Sequence, residues 1–371
     1  VAIGFDQFSD YRIQDNHQQG SDFRIYGSTA IILEDNSVFP VFAPDGRFGG
    51  RTTYYRWTPI FGAPNSTDII TNSIYANDTW RLNNHWSFNV GLRYDMNDGK
   101  DGTGTKVADD ARLTPRLGAT WDIKADGDWQ INAGYAQYTG LLNNGVADSA
   151  SDAGSPAWTY GWYYGGPCVN CEAYETGDYS NLVTQDEAIA IWYEWFNANG
   201  GVDDPPNFRG GSLPGYTPLI PESLKSPVTT EYTIGVIKRL GNRGTLRVDF
   251  VRRDGSDFYI SDNEPGRQVT TDFGSTLDVE YITNDTGGFY ERQYNGIHTN
   301  FQYRIGDRWD IGASYTYSKA EGNFNGETAN SGAVTGGGLE YVEYKEPEWN
   351  EPKGYLAVDQ RHKLRAWVVW D

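Results

Sequence analysis

Apolar side chains occupy alternate positions over several segments of this chain. In residues 85–94 the alternation is complete, with apolar side chains at Trp86, Phe88, Val90, Leu92 and Tyr94. The same pattern recurs, less regularly in places, at residues 117–121, 129–135, 232–240, 246–250, 296–305, 308–318 and 364–370. Successive side chains of a strand point to opposite faces, so this period of two predicts strands with one apolar and one polar face.

The predicted strands are joined by two kinds of connection. Four are tight turns rich in Gly, Asn and Asp, at residues 83–84, 124–127, 241–244 and 306–307. Five are long, at about 16–69, 95–111, 139–228, 261–295 and 319–360. The two kinds alternate, as they do in up-and-down outer-membrane barrels, which have short periplasmic turns and long extracellular loops. A Greek-key sandwich has no reason to alternate them. We therefore predict an all-β fold, a membrane-spanning antiparallel β-barrel wall of about ten strands.

Strand length and composition agree with a membrane barrel. A ten-residue strand at about 3.3 Å per residue and a 45° tilt crosses about 24 Å of membrane. Aromatic residues make up 15% of the chain, and several lie near strand ends, where they suit the membrane interface: Trp80, Trp86, Trp129, Trp309 and Trp370. The chain has no run of 18 apolar residues, as a spanning helix would need. The net charge of −20 disfavours a nucleic-acid partner.

Five segments resemble strands of the TonB-dependent receptors, in the order expected for that family: residues 72–82, 86–95, 115–122, 230–236 and 359–364. The resemblance is nearest to the Oar-like subgroup. It implies a 22-stranded barrel closed by an N-terminal plug, a short box that binds TonB, and uptake of a specific substrate selected by external loops. It also implies a location in the outer membrane of a Gram-negative cell.

The 371 residues contain neither the plug nor the TonB box. We therefore interpret the sequence as a partial chain, limited to the barrel region. On that interpretation, its partners are outer-membrane lipid, its own plug and remaining strands, and TonB through the plug. An alternative stays open, in which an Oar-like protein serves structural, adhesive or surface-assembly roles with a surface protein as its partner. The sequence shows no catalytic motif, so we do not expect an enzyme.

The connection at 139–227 is the most unusual segment, and we expect it to form a large extracellular insertion. It has eleven acidic residues against two basic ones. Extended backbone would place four aromatic rings on one face, as a stacking surface for a sugar ring, a peptide or another amphiphilic ligand: Trp158, Tyr160, Trp162 and Tyr164. The alternative is cross-strand packing within a loop hairpin. A capping-box pattern at Thr184–Glu187 predicts a short helix near 185–199.

Two further groups of residues suggest local chemistry. Cys168 and Cys171 are expected to form a disulfide, because a cell-surface location is oxidising. A redox pair or half of a metal site is the alternative. Oxygen ligands gather in one predicted loop, where they suggest a calcium site: Asp95, Asn97, Asp98 and Asp101. The competing interpretation is a solvated acidic loop, and apart from calcium no cofactor is expected.

Overall fold

A computed structural model describes residues 1–14, 23–44, 46–59, 65–102, 104–142, 144–149, 159–201, 208–212, 219–270, 276–324 and 352–370. The strands are β1 Ala2–Gln14, β2 Phe23–Tyr26, β3 Thr29–Ile32, β4 Val38–Val41, β5 Tyr54–Trp57, β6 Asn65–Arg81, β7 Trp86–Lys100, β8 Lys106–Asp122, β9 Trp129–Thr139, β10 Thr159–Tyr163, β11 Phe208–Ser212, β12 Val228–Leu240, β13 Gly244–Ser256, β14 Tyr259–Thr270, β15 Thr276–Asn284, β16 Arg292–Ile305, β17 Trp309–Gly322, β18 Gly354–Tyr355 and β19 His362–Trp370. The helices are α1 Asn144–Ser149, α2 Cys171–Thr176 and α3 Gln185–Ala198. No helix in these residues is long and apolar enough to cross a bilayer.

Ten long strands form one large antiparallel sheet, which we call the wall. They lie side by side in the order β1, β6, β7, β8, β9, β12, β13, β16, β17 and β19. Each neighbour in the wall is therefore the next wall strand along the chain, although β14 and β15, which pair with each other, lie between β13 and β16 in the sequence. The short strand β18 adds to the end of β17. This up-and-down order confirms the predicted antiparallel fold class.

The register gives the wall one apolar face. Ile234 of β12 lies opposite Ala133 of β9 and Phe250 of β13, and Phe250 lies opposite Ile297 of β16. Directly paired residues share a face, so the alternating apolar positions of neighbouring strands join into one continuous surface. These apolar side chains are exposed rather than packed in a core, and Ile234 is 56% exposed. An apolar face of this extent suits contact with lipid.

The other face of the wall is polar and closely packed in places. Gly235 of β12 lies opposite Asp249 of β13. A Cβ atom at Gly235 would lie only 2.1 Å from Asp249 Oδ1. The absence of a side chain at Gly235 therefore leaves the space that the Asp249 carboxylate occupies. Arg247 Nε donates to Asp249 Oδ2 at 2.6 Å on the same face. We refer to this face as the lumen face, because the interior of an outer-membrane barrel is polar.

The four predicted tight turns are present, but the prediction of a long loop at 95–111 is wrong. Strand β7 continues to Lys100 and β8 begins at Lys106, so only residues 101–105 connect them. Alternate polar residues of this extension point to the lumen face, where Asn97 accepts from Thr71 Oγ1 and donates to Asp110 Oδ1, both at 2.6 Å. Because these partners satisfy the polar side chains, Asp and Asn are tolerated within strands here.

The described parts of the remaining long connections lie at the end of the wall opposite the four tight turns. Strands β11, β10, β5 and β2 form a separate four-stranded sheet, and β3 pairs with β4 in a hairpin. Helices α2 and α3 belong to the same assembly, which we call the loop module (residues 23–44, 46–59, 159–201 and 208–212). The segment 139–227 thus shares its sheet with residues that precede β6. The helix predicted near 185–199 is α3, and its predicted capping box is present between Thr184 and Glu187.

Candidate functional site

An aromatic core holds the loop module together. The rings of Tyr55, Trp192 and Phe196 lie in mutual contact, with centroid distances of 4.3 Å, 4.7 Å and 4.8 Å. One face of the four-stranded sheet supplies Tyr55 and Trp162, and α3 supplies Trp192 and Phe196. Such a core makes the module a folded unit rather than a set of separate loops, because it buries large apolar area.

Three of the four aromatic residues predicted to stack on a ligand lie inside this core. Tyr160, Trp162 and Tyr164 are 0%, 1% and 1% exposed, and Trp158 lies outside the described residues. Burial raises the pKa of Tyr164 to about 12, and its hydroxyl donates to the Pro167 carbonyl oxygen at 2.6 Å. The prediction of an exposed stacking surface is therefore wrong for these three rings. The alternating sequence pattern correctly predicted that these rings share one face. It did not predict that α3 covers this face.

Asn170, which lies between two disulfide-bonded cysteines, links the β3–β4 hairpin to the start of α3. Cys168 and Cys171 are joined in a disulfide with their Cα atoms 5.8 Å apart. Between them, Asn170 adopts a left-handed conformation with φ 56°. Its Nδ2 donates to the carbonyl oxygens of Pro40 at 2.8 Å and Val183 at 2.9 Å, and its Oδ1 accepts from the Val183 N–H at 2.8 Å. Asn170 therefore bridges two segments that are distant in sequence.

A cavity of about 590 Å³ lies between the two segments that Asn170 bridges. Its lining comes from β2, from the β3–β4 hairpin and from α3: Phe23, Ile25, Gly27, Thr29, Ala30, Val38, Pro40, Phe42, Gln185, Ile189 and Tyr193. The volume is within the usual range of about 300–1,000 Å³ for small-molecule sites. We call it the module cavity.

Among the described residues, the side chains that line the module cavity are mostly apolar or aromatic, and none is charged. Phe23 stacks on Tyr55 at 5.5 Å and on Trp57 at 5.6 Å, with interplanar angles of 13° and 4°. Phe23 is nevertheless 41% exposed, so part of its ring remains open to a ligand. Gln185, Thr29 and the hydroxyl group of Tyr193 supply the polar side-chain atoms of the lining. This arrangement suits an apolar, flat group oriented by a few hydrogen bonds.

The module cavity could not be predicted from the sequence, because the segments that line it are far apart in the chain. Residues 29–32 and 38–41 carry short apolar stretches around a Glu34–Ser37 turn, and this signal could have revealed the hairpin. Nothing in the sequence brings that hairpin to Gln185 and Ile189, which lie about 150 residues later. Packing of α3 on the four-stranded sheet creates the contact.

The residues predicted to bind calcium are not brought together. On the lumen face, Asp95 accepts from Arg93 Nε at 2.7 Å and from Ser73 Oγ at 2.6 Å. Asp98 is three residues after Asp95 in the same strand, so its side chain points to the opposite face. Asp101 accepts from the Thr105 N–H at 2.9 Å within the turn. Across the described ranges, no group of three or more His, Cys, Asp or Glu side chains is placed to hold a metal ion.

Comparison with known families decides what the wall is. The model of the family described as "Outer membrane beta barrel domain" matches residues 97–371, which is most of the chain. The chain belongs to this family. Its ten-stranded wall therefore lies in the outer membrane, with the apolar face toward lipid, and the loop module stands on the side of the long connections, which is extracellular in such barrels.

Relatives and solved structures of similar sequence or fold are transporters and receptors. The TonB-dependent transporter Oar of Myxococcus xanthus is 22% identical over 98% of this chain, which spans about a third (33%) of that protein's length. The FrpB iron transporter from Neisseria meningitidis in apoprotein form is 10% identical over 86% of this chain and 37% of its own, with a TM-score of 0.39. The siderophore receptor PirA from Pseudomonas aeruginosa is 12% identical over 72% of this chain and 38% of its own, with a TM-score of 0.38.

Proposed function

We propose that this chain is the wall and ligand-binding surface of a TonB-dependent outer-membrane transporter, with the module cavity as the first binding site for its substrate. The single observation that supports this best is the module cavity itself. It lies in a folded unit at the extracellular end of a membrane wall, where a substrate would first meet the protein. Similarity to the Oar transporter over almost the whole chain supports the same proposal.

The geometry of the module cavity defines the ligand that it would accept. The described residues of its lining include no charged side chain, and exposed rings of Phe23 and Tyr193 lie at its edge. A charged group would lose its hydration there without gaining a partner, which is costly. We therefore expect an uncharged, planar, apolar group of the substrate to occupy the cavity. Other parts of the substrate, outside the cavity, can carry charge.

Energy coupling is tested by binding to TonB. The full-length outer-membrane protein in detergent micelles is expected to bind the purified periplasmic domain of TonB, measured by surface plasmon resonance with an unrelated outer-membrane porin as control. Binding would support active transport. Failure to bind above the porin control would contradict transport and favour a structural or surface-assembly protein that keeps the barrel as an anchor.

Ligand binding at the module cavity is tested with an uncharged aromatic probe, N-phenyl-1-naphthylamine, whose fluorescence rises in apolar sites. Tyr193→Ala removes a ring from the cavity edge and is expected to weaken probe binding by about tenfold, since losing an aromatic contact costs on the order of 1–2 kcal/mol. The matched control is Tyr174→Ala, because Tyr174 is similarly exposed in the module but contacts Phe48 rather than the cavity. Equal affinities for the two variants would rule out the cavity as the probe's site.

A further inference from the structure

Two arginines lie directly opposite each other on the face of the module sheet that points away from α3. Arg24 of β2 pairs with Arg56 of β5 in the antiparallel register. Their neighbours Phe23 and Tyr55 belong to the other face, which lines the module cavity and packs on α3. Like charges at directly paired positions of a sheet repel each other and destabilise it. The pair therefore needs another explanation.

Neither arginine of this pair has an acidic partner among the residues that the structure describes. Elsewhere in the module, Arg47 Nε lies 3.6 Å from Glu175 Oε1. Arg56 Nε, by contrast, is buried and forms no hydrogen bond. Arginine readily pairs with carboxylates, so two adjacent guanidinium groups without one are typical of a site that takes its anion from outside.

A row of tyrosines lies on the same face as the two arginines. Tyr26 stacks on Tyr54 with centroids 4.5 Å apart and planes at 9°. Tyr163 of β10 pairs with Tyr54 in the register and is 45% exposed. Hydrogen bonding to Arg24 is the main cause that lowers the pKa of Tyr26, with burial opposing it and Arg56 adding to it. The Tyr26 hydroxyl is therefore close to both guanidinium groups.

We propose that Arg24 and Arg56 bind the oxyanion of a charged saccharide, a sugar bearing a phosphate or carboxylate group, whose ring lies along the tyrosine row. Guanidinium groups form paired, charge-assisted hydrogen bonds with such oxygens. Aromatic rings beside them offer a flat apolar surface for the hydrocarbon face of a sugar, with little loss of side-chain entropy. This site lies on the opposite side of the sheet from the module cavity and does not depend on active transport.

The proposal is tested by calorimetric titration of the full-length protein in detergent with glucose 6-phosphate, inorganic phosphate and glucose. Glucose 6-phosphate is expected to bind most tightly, because it carries both the anion and the ring. Arg24→Gln and Arg56→Gln should each weaken its binding by about tenfold or more, since a charge-assisted hydrogen bond contributes about 1.5–3 kcal/mol. Arg47→Gln, at an arginine already paired with Glu175, is the matched control and should bind as the unaltered protein does.

A stability measurement separates binding from a structural role. Without ligand, Arg24→Gln is expected to raise the midpoint of thermal unfolding of the module, because it removes like-charge repulsion across the strand pair. A structural role predicts the opposite sign. Unchanged affinity for glucose 6-phosphate in both glutamine variants, or an equal loss in Arg47→Gln, would overturn the proposal. So would a lower unfolding midpoint in Arg24→Gln together with unchanged affinity.

The same chemistry is available from a soluble phosphosugar or from the phosphorylated sugars of lipopolysaccharide. These sources are distinguished by repeating the titration in phosphatidylcholine vesicles with and without lipopolysaccharide. If the glycolipid is the natural occupant, glucose 6-phosphate binding will be lost only in vesicles that contain it. If the ligand is soluble, the affinity will be the same in both. Either result requires that the glutamine variants bind more weakly in plain vesicles.

Discussion

Replacing Trp192 with alanine is expected to unfold the loop module while leaving the wall intact. Trp192 is 0% exposed and contacts Tyr55 and Phe196 at the centre of the aromatic core. Truncating a buried tryptophan to alanine typically costs about 3–5 kcal/mol, through lost burial and the cavity left behind. The module is a small unit, so a loss of this size is a large fraction of its stability.

The cost at Trp192 should come from packing rather than from hydrogen bonding. Its indole Nε1 is buried without a hydrogen-bond partner. Trp192→Phe removes this unpaired donor and keeps an aromatic ring, so we expect it to destabilise the module much less than alanine. If phenylalanine were as damaging as alanine, the loss would have to be attributed to the indole N–H.

Hydrogen exchange followed by mass spectrometry measures the effect of Trp192→Ala segment by segment. Peptides from residues 159–201 are expected to lose protection, whereas peptides from β12 and β13 should keep theirs. Trp80→Ala, which removes an exposed ring at the end of a wall strand, is the control and should leave the module protected. Simultaneous loss of protection in the module and the wall would contradict their independence.

The wall could be predicted from the sequence because its strands and tight turns each have a pattern that lies within a short segment. Residues such as Trp86, Val90 and Leu92 alternate with polar ones, and the tight turns between strands have their own composition. Each wall strand pairs with the next wall strand along the chain, whether a tight turn or a long connection joins the two. This is why the order and direction of the long strands matched the prediction.

Polar strand ends and the loop module could not be predicted in the same way. Asp95 and Asn97 are residue types typical of loops. In the structure they lie in a strand, because Ser73, Thr71 and Asp110 form hydrogen bonds with them on the lumen face. Tyr160 and Trp162 alternate like a ligand-facing strand, but the helix that buries them follows later in the chain. In the first case the pattern gives no sign that polar side chains of neighbouring strands will pair, and in the second it does not specify that the helix packs on the strand.

The disulfide and the capping box were predictable because both are short-range features. Cys168 and Cys171 are three residues apart, as are Thr184 and Glu187. Their consequence was not predictable, since Asn170 contacts Pro40 about 130 residues away. This contact, rather than the disulfide, links the β3–β4 hairpin to the segment before α3, and both of these segments border the module cavity.

Ile234→Arg is expected to destabilise the wall in a lipid bilayer by about 2–4 kcal/mol, the cost of a lipid-facing arginine near the midplane. Ile234 lies at the middle of β12, on the apolar face, between Ala133 and Phe250. Thr233→Arg is the matched control, because Thr233 is the adjacent residue on the lumen face. There it lies opposite Gly134, which leaves room for a longer side chain.

The central claim, that one face of the ten-stranded wall contacts lipid and the other lines an aqueous lumen, is tested most directly by comparing this pair of variants. The measurement is the free energy of unfolding in phospholipid vesicles, from urea titration followed by tryptophan fluorescence. The claim predicts a loss of about 2–4 kcal/mol for Ile234→Arg and much less for Thr233→Arg. Equal losses, or a larger loss for Thr233→Arg, would contradict it.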